Sequence, residues 1–130
     1  MRAALGTVLN RFVLVAVILA QAQASDVAPA GDWHGDSICQ QKNTACRDEK
    51  VIYHISAPDT AGKITVSSDK IVEGQLVNMG KILFDYDKKK QILHAEDGPR
   101  IWHFQIECHS MHGTLMASGT FVRKVELTKD

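Results

Sequence analysis

Turn-forming clusters interrupt this chain at short intervals, and only brief runs rich in β-branched and aromatic residues lie between them. The separators include "PDTAGK", "EG", "DKKK", "DGP" and "SG". They bound eight runs: Asp32–Gln40, Lys50–Ala57, Lys63–Val72, Gln75–Tyr86, Gln91–Glu96, Arg100–Glu107, Ser110–Ala117 and Thr120–Lys129. No stretch carries a helical period. Short strands at this spacing, joined mostly by hairpin-sized links, predict an all-β fold. The expected architecture is an antiparallel meander of about eight strands. It can close as a small barrel or stack as a sandwich, and closure has the advantage of removing exposed strand edges.

Alternation refines the expectation. In "RIWHFQIE", Trp102, Phe104 and Ile106 share a face opposite His103, Gln105 and Glu107. With Cys108 and His109 as a two-residue turn, Ile106 pairs with Met111, Phe104 with Gly113 and Trp102 with Leu115. Every pair falls on the apolar side, as a buried face demands. The run Gln75–Tyr86 is less regular. Ile82, Phe84 and Tyr86 alternate, but Asn78 and Gly80 continue the same face, which requires either a bulge or a polar patch inside.

The ends of this region carry a family resemblance. "GDWHG" sets Trp33 at the head of the first run, and "TFVRKVEL" sets Arg123 in the last, on the face expected for Phe121, Val125 and Leu127. This resembles the lipocalin-like (calycin) barrels, whose first strand opens with G-x-W. The resemblance implies a structural role for Trp33 and Arg123, with the arginine stacked on the indole at the barrel's base; such a contact is a cation–π interaction. The chain is shorter than most lipocalins and lacks a counterpart of their T-D-Y motif. "GDSICQQKNTACRDEKVIYHI" further resembles small exported bacterial proteins of unknown function, which implies a compartment but no activity.

The N-terminus points to export. Arg2 and Arg11 precede an apolar run from Phe12 to Ala20, followed by Ala22 and Ala24 before Ser25. That is the layout of a secretory signal peptide over residues 1–24. The run is shorter than the ~20 residues a membrane-spanning helix needs. The alternative is an uncleaved anchor, which would be the chain's one route to a membrane. "SDVAPAG", residues 25–31, reads as a flexible leader, and residues 32–130 as a single periplasmic or secreted domain. Fifteen acidic and fifteen basic residues balance over the whole chain, and removing Arg2 and Arg11 leaves 13 − 15 = −2. A nucleic-acid binder would carry a marked positive surplus, so none is expected.

Three cysteines permit one bridge. Cys39 and Cys46 lie seven apart and are expected to pair in the oxidising compartment, leaving Cys108 free. A redox role is disfavoured, because such dithiols are usually C-x-x-C at a helix start. "CHSMH", Cys108–His112, offers soft metal ligands. The register nonetheless sends Met111 inward and His112 outward, so the stretch is read as a hairpin tip and no metal is expected. His34 and His103 each neighbour a Trp and face away from it, while His54 and His94 lie on separate runs without a spaced partner. Solvated histidines are the expectation. No nucleophile elbow or phosphate loop occurs, and the paired carboxylates at Glu96–Asp97 and in "RDE" sit beside turns. No enzymatic activity and no cofactor are therefore expected.

The apolar face offers Trp33, Tyr53, Ile55, Phe84, Trp102, Phe104 and Phe121. Tyr53, Phe84, Tyr86, Trp102 and Phe104 are the candidates for contact with a small apolar ligand. The expected function is binding such a ligand, or an accessory role in the cell envelope. The alternative is protein binding through residues 25–31, since small periplasmic barrels that resemble lipocalins include protease inhibitors with an inserted N-terminal segment.

Overall fold

The computed structural model describes residues 28–42 and 44–129. The expected signal peptide and the first residues of the expected leader lie outside them. The eight strands are β1 (Gly31–Cys39), β2 (Glu49–Ile55), β3 (Lys63–Val72), β4 (Gln75–Asp87), β5 (Ile92–Asp97), β6 (Arg100–Glu107), β7 (Ser110–Ala117) and β8 (Thr120–Lys129). They pair in sequence order, all antiparallel, and β8 returns to β1 to close a barrel. No helix among the described residues is long and apolar enough to cross a membrane.

One end of the barrel is filled. Trp33, Ile64, Phe84, Leu93, Met111 and Leu127 are all essentially inaccessible there. Period-two alternation sends these side chains inward while their neighbours face water. The β6–β7 hairpin has the register expected from its alternation, with Ile106 opposite Met111, Phe104 opposite Gly113 and Trp102 opposite Leu115. The Phe104 ring lies where a Cβ on Gly113 would stand, so glycine is required there by space alone.

The irregularity of β4 is a bulge. Register shifts between Ser68 and Asp69 of β3, where Met79 is the extra residue on β4. The bulge turns Asn78 outward, where its amide donates to Asp69 at 2.9 Å and Ser67 at 3.2 Å. A second shift, where Leu115 meets Arg123 but Met116 meets Phe121, overturns an expectation about β8. Val122 is the additional residue, so Phe121 leaves the inner face and is 39% exposed.

The resemblance to lipocalins misplaced the cation at the base. Trp33 is opposite Lys129 in the β1–β8 ladder, whereas Arg123 is opposite Cys39. The ammonium of Lys129 lies 5.7 Å from the Trp33 ring centre and donates to the carbonyl of Ala28 at 2.9 Å. The indole N–H of Trp33 donates to the carbonyl of Pro29 at 2.9 Å. First and last strands run antiparallel, so a residue meeting the head of β1 must come from the tail of β8. Arg123, near the start of β8, is carried to the other end. The same contacts hold Ala28 and Pro29 against the barrel, and Gly31 is already in the ladder with Ile55. The described part of the expected leader, residues 28–31, is therefore anchored.

Candidate functional site

The end of the barrel opposite Trp33 is hollow. The Cys39–Cys46 disulfide, the expected pair, ties the start of the β1–β2 connection there. A carboxylate oxygen of Asp48 accepts from the Cys39 N–H at 2.8 Å, which orders the approach to Glu49. Between β4 and β5 the wall is joined only at Asp85–Asp87 with Ile92–His94, near the filled end. Towards the disulfide end these strands are not paired, and the interior opens beside them.

The resulting cavity measures about 410 Å³ and is bounded by Tyr53, Met79, Ile82, Trp102 and Leu115, with Ser37, Glu49, Arg100 and Arg123 supplying charge and polarity. Cavities of this size hold small ligands. It leads towards a slot of only about 20 Å³ that shares Tyr53, Ser68, Ile82 and Trp102 and ends on Phe84 and Val66. Below that the barrel is packed.

Phe104 explains why the cavity stops there. Its ring stacks beneath Trp102, with centroids 6.0 Å apart and an interplanar angle of 10°. It also meets Tyr53 at 5.9 Å and Phe84 at 5.8 Å edge-on. Phe104 is thus the floor's support, itself buried, while Tyr53, Phe84 and Trp102 present surface above it. Tyr86 is not part of this wall. It lies beyond Phe84 towards the filled end, and its hydroxyl accepts from the Gln91 side-chain amide at 2.8 Å. Of the five aromatic candidates, three line the hollow, one underlies it and one is remote.

The polar groups are mostly donors. Arg123 donates to the hydroxyl of buried Ser37 at 3.0 Å and to its carbonyl at 3.3 Å, and lies 3.8 Å from the Glu49 carboxylate. Lys70 approaches the same carboxylate at 3.5 Å. Two cations share one anion, and Arg100 adds a third positive charge at the mouth. Burial pushes the Tyr53 phenol well above its ordinary pKa, and Glu49 pushes the same way against the opposing field of Arg123. Tyr53 therefore stays neutral, with a proton to donate. The Trp102 Nε1 is buried and has no hydrogen-bond partner within the described residues. An indole N–H left so is costly, by about 1–3 kcal/mol.

Arg123 is expected in a structural role at the base, and Glu49 in a loop with the other carboxylate of "RDE"; the structure instead makes Glu49 the first residue of β2, in the cavity lining, and Ser37 and Arg100 carry no expectation. Strand direction alone could have placed Arg123 here. Nothing local to Glu49 or Ser37 distinguishes them from surface residues.

The outer wall holds a second arrangement that corrects the view of His54 as a solvated residue without partners. Its Nδ1 lies 2.7 Å from Asp32 and its Nε2 2.8 Å from Asp69, linking β1, β2 and β3. These two hydrogen bonds, Asp32 first, raise the imidazole pKa above its ordinary value. Asp69 is lowered, chiefly by the Asn78 amide and then by His54. With both ring nitrogens occupied, His54 is a clamp and has no nitrogen left for a ligand. At the "CHSMH" hairpin, Met111 is buried and His112 points outward to Glu126. Met111 and His112 therefore stand on opposite faces of β7.

No family model matches this sequence, and neither does any curated protein.

Proposed function

We propose that this protein is an exported, non-enzymatic binding protein. Its barrel takes a small, largely apolar ligand that carries a hydrogen-bond acceptor, best an anionic one. The observation that carries the reading is the cavity itself: Tyr53, Met79, Ile82 and Trp102 offer apolar surface, and Arg123, Arg100, Ser37 and Ser68 stand beside them with Glu49 as the carboxylate of the lining. An acceptor group on the ligand meets the guanidinium of Arg123 or Arg100, while the ligand's apolar body meets Tyr53, Ile82 and the Trp102 face. Export agrees with the signal-like N-terminus and with the Cys39–Cys46 bridge, since such bonds persist in oxidising compartments. The likeness to lipocalin-like barrels rests on the eight-stranded closed meander and on a cation over Trp33, supplied here by Lys129.

Binding through residues 25–31, the protease-inhibitor alternative, draws less support, because Ala28, Pro29 and Gly31 are already engaged by the barrel. A matched pair of probes tests the cavity: the fluorescent anion anilinonaphthalene sulfonate and neutral phenylnaphthylamine. Both should bind and gain emission. Arg123→Gln should weaken the anion about tenfold or more, in keeping with the worth of a charge-assisted hydrogen bond, and the neutral probe much less. Equal losses for both probes would remove the acceptor requirement. Absence of binding by either would remove the cavity reading.

A further inference from the structure

We propose that the protein forms a symmetric dimer in which the open edge of β4 pairs with the same edge of a second copy. On one side β4 is laddered to β3 along its whole length. On the other side it reaches β5 only at Asp85–Asp87, so Gln75–Phe84 offers a row of backbone donors and acceptors that no described strand takes up. What such a row binds is another extended strand. The sequence of this edge, "QLVNMGKILF", has one charge, at Lys81, and no proline to discourage pairing.

The spacing of its side chains selects the partner. Leu76 and Leu83 are the two most exposed large hydrophobic residues among the described ones, at 59% and 58%. They are seven apart, which in a regular strand puts them on opposite faces. The bulge at Met79 reverses that parity: Leu83 and Lys81 face outward above it, and Asn78 and Leu76 face outward below it. An antiparallel two-fold centred between Met79 and Gly80 then sets Leu76 of each copy against Leu83 of the other. It also sets Lys81 against Asn78 and Val77 against Ile82, so every facing pair shares a side. A register one residue away opposes outward Leu83 to inward Val77 or Gln75 and fails. Isologous contacts of this kind place each residue twice, once per copy. One strand that complements itself at both exposed leucines fits a second copy better than an unrelated strand.

Sedimentation of the purified protein over a range of concentrations tests the pairing. A reversible shift from monomer to dimer is expected, with slowed amide exchange confined to Gln75–Phe84. Leu83→Lys should abolish the dimer, because each introduced ammonium meets an apolar leucine and is desolvated. Combining it with Leu76→Glu in the same chain sets opposite charges at both equivalent contacts and should restore the dimer. Both positions are exposed, so circular dichroism should find the barrel unchanged. A wild-type protein that stays monomeric at every concentration overturns the proposal, as does a dimer indifferent to Leu83→Lys. A double variant no better than the single one overturns the register, and with it the argument for a second copy.

Discussion

Single side chains decide two features of this barrel by opposite means, one by lacking atoms and one by holding a proton. Gly113 gives its place to the Phe104 ring, and Phe104 in turn carries Trp102, Tyr53 and Phe84. Gly113→Ala should therefore destabilise by about 1–3 kcal/mol through overpacking, seen as an earlier denaturant midpoint. Loss of probe binding should accompany it, because Trp102 loses its support. His54 works by charge. Its folded pKa is raised, so its contribution is full below the ordinary imidazole value of 6.5 and fades as pH rises through the raised one. Asp69 is lowered, so its contribution is full above 3.8 and fades as pH falls. Denaturant melts of wild type and His54→Gln across pH should differ most between 3.8 and 6.5. The difference should shrink in alkali. A constant difference would mean that the clamp is steric only.

Among the elements, the hairpins show how turn chemistry is shared out. Glu73–Gly74 and Ser118–Gly119 take positive φ at both central residues, whereas the β5–β6 turn does so at Gly98 and the β6–β7 turn at Cys108. Cys108, at φ 54°, occupies a site that suits glycine at the first central position. Relief of left-handed strain is partly offset by glycine's chain entropy, so Cys108→Gly should stabilise by no more than about 1 kcal/mol. The β-branched Cys108→Val should destabilise by about 1–2 kcal/mol, and thermal melts of the two variants should move apart. The disulfide acts on the connection before β2. It closes an eight-residue ring, so replacing both Cys39 and Cys46 by Ser should lower stability by about 2.5 kcal/mol on chain-entropy grounds.

Taken whole, the molecule is a barrel packed at one end and hollow at the other. The expectation of eight antiparallel strands came from turn residues and alternation, which are local. Four strands, Lys63–Val72, Arg100–Glu107, Ser110–Ala117 and Thr120–Lys129, have the expected limits, and the rest differ by a residue or two at an end. The register of β6 on β7 was legible for the same reason, since one buried face admits one alignment. The disulfide was legible because so few pairings exist. The two bulges were not fully legible: one residue added at Met79 or Val122 inverts every side chain beyond it, and the added residue has no marker of its own. For that reason Phe121 was expected inside and lies outside. The cation over Trp33 is Lys129 and not Arg123, because closure sets the head of β1 beside the tail of β8. The site followed from closure too. Ser37, Glu49 and Arg123 are remote in sequence and meet only where β1, β2 and β8 come round to one another. His54 likewise found Asp32 and Asp69 across two ladders. Periodicity along a strand is written in the chain and read from it; which residues stand side by side across strands depends on how the sheet closes, and only the tertiary structure decides that.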